Sequence, residues 1–191
     1  DFKKDPDKTM AERTMRGFFG MGVEGGSKPM NLGSLLRSAH SFGASYFFTV
    51  APQYKSKDMR NSDTSDASKT LPLYTFDSVE EMVLPKGVQL VGVELTDESI
   101  ELPSFRHPMQ AAYVMGPEKG SLSPEMQERC DFIVKIPMKF CVNVGVAGAI
   151  VLYDRLISMG RFPGRPVNPR GETVPLPKHV QGSQIIRTKK E

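Results

Sequence analysis

The chain has 191 residues, 39% of them hydrophobic and 25% charged, the balance of a globular protein long enough to bury a real core. No apolar run approaches the roughly 18 residues of a membrane helix, no leader pattern opens the sequence, and the two cysteines, Cys130 and Cys141, make no disulfide framework, so a reducing, cytoplasmic setting is expected. Net charge is +3, of which residues 160–191 carry +5 through seven Lys and Arg against two Glu, leaving −2 for the rest; such a tail suits phosphate contact or simple solvation equally.

Residues 1–16 are polar and mixed in charge, with at most a helical stretch over 11–16, and read as an N-terminal extension. Residues 18–23 read as a buried strand containing two glycines, followed by the loop Glu24-Gly25-Gly26-Ser27. Asn31 is suited to cap a helix over 32–42, whose Leu32, Leu35, Leu36 and Ala39 form an apolar stripe and which Gly43 closes. An aromatic-rich strand over 44–50 completes a βαβ unit, which implies a right-handed crossover and a parallel sheet. Residues 52–70 have almost no apolar content and form a long loop; its Lys55, Lys57, Arg60 and Lys69 suit RNA phosphates no better than plain solvation.

A short strand over 73–76 comes next, then a helix over 78–83 capped by Asp77 and closed by Pro85 and Gly87, and a buried strand over 88–95. Residues 98–110 read as a loop. A strand over 111–115 ends in the turn Gly116-Pro117-Glu118-Lys119-Gly120, and Ser123 as N-cap with Pro124 at the first helical position opens a short helix. A strand over 132–136 stops at Pro137, and Asn143 opens a small-residue helix over 144–156. Beyond residue 159 five prolines and no periodicity indicate an extended or disordered tail. The expected organisation is an extension over 1–16, one α/β domain over 17–159 with a mostly parallel sheet flanked by helices, and a basic tail over 160–191. In such sheets ligands collect beyond the carboxyl ends of the strands.

Three stretches carry a resemblance. Asn31-Leu32-Gly33-Ser34-Leu35-Leu36-Arg37-Ser38-Ala39, with Asn six positions before Arg, resembles the first motif of the SpoU/TrmH branch of the SPOUT RNA methyltransferases. Gly116-Pro117-Glu118-Lys119-Gly120-Ser121-Leu122-Ser123 resembles the second, and Ile136-Pro137-Met138 followed by Cys141-Val142-Asn143-Val144 the third. The resemblance covers roughly residues 17–157. It implies a deep C-terminal trefoil knot around 116–154, S-adenosylmethionine as cofactor, a structured RNA (tRNA slightly favoured over rRNA) as substrate, a ribose 2′-hydroxyl as methyl acceptor, and a homodimer formed through the knot region. It also implies that the cofactor lies among Glu94, Leu95 and Thr96, Gly116 and Gly120, Ile136, Pro137 and Met138, and Cys141, Val142, Asn143 and Val144.

The residues themselves fit that chemistry. Gly116 and Gly120 permit close backbone approach and Pro137 fixes a bend, while Leu95, Ile136, Met138, Val142 and Val144 can flank an adenine; each taken singly also fits an ordinary strand end. The glycine-rich turn lacks P-loop spacing and no GxGxxG follows the first strand, which disfavours nucleoside triphosphate and NAD binding. His40, His107 and His179 are scattered, and no Cys or His cluster has metal-ligand spacing, so no metal is expected. Asn31, Arg37, Glu118 and Asn143 are the polar motif positions. On a helix Asn31 and Arg37 are offset by about 240° and need not share a face. A guanidinium is a poor proton acceptor, so Arg37 is expected to clamp phosphate and stabilise charge at the ribose oxygen. Glu118 and Asn143 are expected mainly to support the loops. Cys141 stands where the family usually has Ser, and a thiol is a weaker hydrogen-bond donor. The rivals are a base methyltransferase of the same superfamily and an RNA-binding module without catalysis.

Overall fold

A computed structural model describes residues 17–26, 28–53, 70–160 and 162–175. Seven strands form one sheet: β1 (Phe18–Glu24), β2 (Tyr46–Val50), β3 (Leu73–Phe76), β4 (Gln89–Val93), β5 (Ile100–Glu101), β6 (Gln110–Met115) and β7 (Phe132–Lys135). Their order is β3-β2-β1-β6-β4-β7-β5, and every pairing is parallel. Helices α1 (Pro29–Ser41) and α3 (Val144–Met159) cover one face, and α2 (Pro124–Arg129) packs on the other. All carboxyl ends therefore lie along one edge, which gathers the loops after β1, β4, β6 and β7.

The alternation of β1 decides how the two faces are filled. Phe19, Met21 and Val23 point into the helix side with Leu32, Leu35, Tyr113 and Leu152. Gly20 and Gly22 point the other way. A Cβ there would lie 2.3 Å from the Tyr46 ring and 2.5 Å from the Phe48 ring, so the two glycines make room for the aromatic side chains of β2. On the helix side Gly148 of α3 meets Leu35 of α1 so closely that a Cβ would stand 2.1 Å from Leu35 Cδ1. The small-residue run of α3 thus serves close helix packing within the chain.

Caps match expectation at three helix ends. Ser123 Oγ accepts the amide of Met126 at 3.1 Å, with Pro124 at the first helical position. Asn143 Oδ1 accepts the amide of Gly145 at 2.8 Å. Gly43, at φ +78°, closes α1 with its amide on His40 O and that of Ala44 on Ala39 O, a Schellman pair.

Three expectations change. Helix α1 begins at Pro29 rather than after Asn31, because proline is preorganised for the first helical position; Asn31 lies inside the first turn and its side chain is used elsewhere. Residues 77–81 form only a turn, in which Ser78 Oγ, not Asp77, accepts the amide of Glu81. The Arg129 guanidinium bonds the carbonyls of Val79 and Met82, holding the turn. Residues 98–110 contain β5 and a single 3-10 turn, Leu102–Ser104, whose Leu102 is buried in the core.

At the amino edge of the sheet a fully buried Arg155 ties α3 to the segment entering β6. It donates to Pro108 O at 2.7 Å, Met109 O at 3.2 Å and Tyr113 Oη at 3.0 Å, and lies over the Phe19 ring at 4.9 Å. Tyr113 Oη lies 2.6 Å from His107 Nδ1, and His107 Nε2 lies 2.9 Å from Asp154. With Tyr113 accepting from Arg155, its own proton goes to His107 Nδ1, and the imidazole, neutral, donates from Nε2 to Asp154. Burial lowers the His107 pKa despite that carboxylate, which agrees with the neutral form.

The compact unit ends at Gly160. In the second unit, residues 162–175 have no helix or strand, only a turn in which Gly171 N donates to Asn168 O at 2.8 Å. The readings placed on 1–16, on Lys55, Lys57, Arg60 and Lys69, and on the tail beyond 175 lie outside the described residues.

Candidate active site

At the carboxyl ends of β4, β6 and β7 the loops surround a cleft of about 690 Å³, within the range of small-molecule sites. Its wall comes from Glu94 and Leu95 after β4, from 116–118 and Gly120 after β6, and from Ile136, Met138 and 139–144 after β7. The start of α1 adds Lys28 and Asn31.

A polar chain joins these loops. Glu118 Oε1 accepts from the Lys28 amide at 3.1 Å and from Asn31 Nδ2 at 3.2 Å. Asn31 Oδ1 accepts from Asn143 Nδ2 at 2.8 Å, and Asn143 Oδ1 caps α3. Glu118, Asn31 and Asn143, far apart in sequence, hold one another in a single network at the cleft. These bonds tie the loop after β6, the start of α1 and the start of α3 to one another.

Glu94 plays a parallel part. Its Oε1 accepts the Leu95 amide at 2.9 Å and its Oε2 the Leu122 amide at 2.7 Å, stitching the β4 loop to the β6 loop. Gly116 sits against this link: a Cβ there would lie 3.2 Å from Leu122 N and 3.4 Å from Glu94 Oε2. Its φ is not left-handed, so only this close approach disfavours a side chain there. Gly120 has φ +110° and needs glycine for its backbone.

Of the residues singled out for cofactor contact, Glu94, Leu95, Gly116, Gly120, Ile136, Met138, Cys141, Val142, Asn143 and Val144 line the cleft. Thr96 and Pro137 do not. Thr96 turns into its own loop, where its hydroxyl meets Ser99 Oγ and its carbonyl accepts from Lys135 Nζ at 3.3 Å; Pro137 is exposed outside the cleft. Arg37 is exposed on α1 and is not part of the cleft wall, as the angular offset from Asn31 allows. His40 Nε2 lies 3.1 Å from Thr70 Oγ1, away from the cleft.

Sequence reasoning missed Glu24. It is buried at the end of β1, where its carboxylate accepts Ser123 Oγ at 2.6 Å and Ser123 N at 2.9 Å, anchoring the start of α2. An acidic residue closing an apolar strand just before two glycines was the available signal. Lys28, Lys135, Lys139 and Phe140 also line the cleft without having been singled out. Cys141 is exposed in the cleft, whereas burial pushes the Cys130 thiol up to about 12. Among the described residues no group of His, Cys, Asp and Glu is placed to hold a metal ion, and no helix is long and apolar enough to cross a membrane.

The model of the SpoU rRNA Methylase family matches residues 22–153. The 23S rRNA (guanosine-2′-O-)-methyltransferase RlmB of Neisseria meningitidis serogroup B is 31% identical over 142 residues, which are 69% of this chain and 55% of that protein. The tRNA (guanosine(18)-2′-O)-methyltransferase TARBP1 of Mus musculus is 27% identical over 135 residues, 66% of this chain and 8% of that protein. The chain thus spans about half or less of the length of these relatives. The AdoMet-bound rRNA methyltransferase from Sinorhizobium meliloti superposes with a TM-score of 0.65 at 21% identity, covering 74% of this chain and 56% of that one; at that identity it shows the fold.

Proposed function

Because the chain belongs to the SpoU rRNA methylase family, we propose that it transfers a methyl group from S-adenosylmethionine to a ribose 2′-hydroxyl of structured RNA, tRNA or ribosomal RNA, in the cytoplasm. One observation carries the reading: the chain Glu118–Asn31–Asn143 links the three motif segments around one cleft.

The residues present fit the cofactor. Both carboxylates of the wall, Glu94 and Glu118, are turned onto backbone amides, so the interior offers main-chain groups and apolar Leu95, Ile136, Met138 and Val142 to an adenosine. When bound, S-adenosylmethionine supplies an electrophilic methyl on its sulfonium. The protein supplies position: the 94–95, 116–120 and 136–144 loops hold the donor, and Arg37 holds phosphate and stabilises negative charge on the ribose oxygen. The ribose proton leaves to phosphate or water, since guanidinium stays protonated. Glu118 and Asn143 keep the loops in place. Cys141 contributes cleft surface more than a hydrogen bond. The knot belongs to the same proposal: β7 lies beyond β4 from β6, and α3 returns to α1, a path suited to threading.

The test is direct. Tritiated methyl from S-adenosylmethionine should appear in 2′-O-methylnucleosides after nuclease digestion of treated tRNA or rRNA. Label confined to bases would give the reaction to base methylation, and no label with bound cofactor would leave an RNA-binding module.

A homodimer completes the proposal. Helix α3 is apolar on both sides. Val144, Val151 and Leu152 face the core, while Val146, Tyr153 and Ile157, at 50%, 50% and 40% exposure, share the opposite face. A helix apolar all round is a buried helix, and a second copy is the occupant that the family suggests. We assign Arg37, which lies outside its own cleft wall, to the partner's cleft. Tyr153→Arg should shift the light-scattering mass from dimer to monomer and lower methyl transfer with it. A dimer that survives this charge would move the interface elsewhere.

A further inference from the structure

Phe140 is 84% exposed, on the loop between β7 and α3, and it lines the cleft. Among the described aromatic residues it is the most exposed, and a ring presented to water at a cleft is a ready surface for a ligand. Its surroundings state the chemistry of that occupant. Lys139 is exposed beside it, and Lys28, Lys135 and Lys139 all line the cleft. Glu94 and Glu118 also line the cleft, where they accept backbone amides, so the three lysines leave the wall with one positive charge in excess. Lys135 is held by the carbonyls of Thr96 and Asp97, which leave its charge intact.

An exposed ring beside lysines is how proteins hold unpaired nucleic acid, with the base on the ring and the backbone on the cations. RNA recognition exploits bases splayed out of the helix in the same way. A nucleotide that leaves its helical stack to bring its ribose into the cleft carries its base with it, and that base then needs a replacement surface.

We propose that Phe140 is the stacking platform for the base of the nucleotide whose ribose enters the cleft, with Lys139 on the adjoining phosphate. The proposal rests on the RNA methyl-transfer reading and deepens it. Stacking uses only the face of the base, so this contact tolerates any base; nucleotide preference has to come from hydrogen bonds elsewhere.

The test needs no knowledge of the natural RNA. Anisotropy would be measured at low salt with a fluorescein-labelled uridine dodecamer and with a chain of the same length made of abasic riboses. The wild-type protein should bind the uridine chain on the order of tenfold tighter. Phe140→Ala should erase that preference, Phe140→Trp should keep it, and Lys139→Ala should weaken both RNAs alike. Equal binding of the two RNAs by the wild type, or an unchanged preference in Phe140→Ala, overturns the proposal. So does a loss of S-adenosylmethionine affinity in Phe140→Ala, which would put the ring over the cofactor, or a fall in its solution mass, which would put the ring in a subunit contact. A base preference that depends on Phe140 in a protein without methyl transfer would strike the catalytic reading alone.

Discussion

Arg37→Ala should slow methyl transfer on the order of 100- to 1000-fold while S-adenosylmethionine affinity stays near that of the wild type. The expected size is that of removing one preorganised donor from a developing oxyanion. An interaction made mainly in the transition state lowers turnover when removed, with little effect on ground-state binding. The position of Arg37 supports the separation: it is exposed on α1 and outside the cleft wall, so the cofactor surface does not change with it. Arg37→Lys keeps the charge without the planar fork and should restore only part of the rate. Supply of this residue to a partner subunit has its own signature. Mixing Arg37→Ala subunits with Gly116→Val subunits should regenerate one intact site per heterodimer, whereas each variant alone stays slow. Single-turnover rates at saturating cofactor make the comparison. Wild-type turnover by Arg37→Ala would remove the residue from the reaction, and absence of complementation would confine each site to one chain.

Arg155→Ala should cost about 3–5 kcal/mol of folding free energy, the size expected when a large buried side chain and its charge-assisted hydrogen bonds are lost together. Two effects add. The carbonyls of Pro108 and Met109 and the hydroxyl of Tyr113 lose their donor, and a buried side chain leaves a cavity beside Phe19. Arg155→Met restores much of the volume but none of the donors, so it should recover only the cavity part. The network lies at the amino edge of the sheet and the cleft at the carboxyl edge, so whatever protein stays folded should bind S-adenosylmethionine normally. Urea denaturation followed by circular dichroism reads the first effect, and calorimetry the second. A midpoint unchanged in Arg155→Ala would mean that desolvation of the cation cancels all its hydrogen bonds.

Local chemistry was legible wherever one short stretch decides it. Ser123 with Pro124, Asn143 and Gly43 are cap signals complete within a few residues, and each caps as expected. The strands were legible because buried parallel strands are short apolar runs ended by Gly or Pro. The motif order already pointed to the family and to the loops that form the cleft. Other features depend on what lies across the fold. Asn31 reads as a cap because its residue type favours one, yet Glu118 and Asn143 wait on either side of it, and Pro29 two residues earlier starts the helix instead. The turn at 77–81 has helical residues but is held by Arg129 from α2. Glu24 and Arg155 carry charge, and in sequence charge means surface; both are buried because partners from distant segments meet every polar atom of Glu24 and most of those of Arg155. Sequence alone therefore determined the longer strands and the caps at Ser123, Asn143 and Gly43, since those depend on near neighbours. Only the tertiary structure decided which polar side chains hold the cleft together, because a buried hydrogen bond needs a partner that chain order does not reveal.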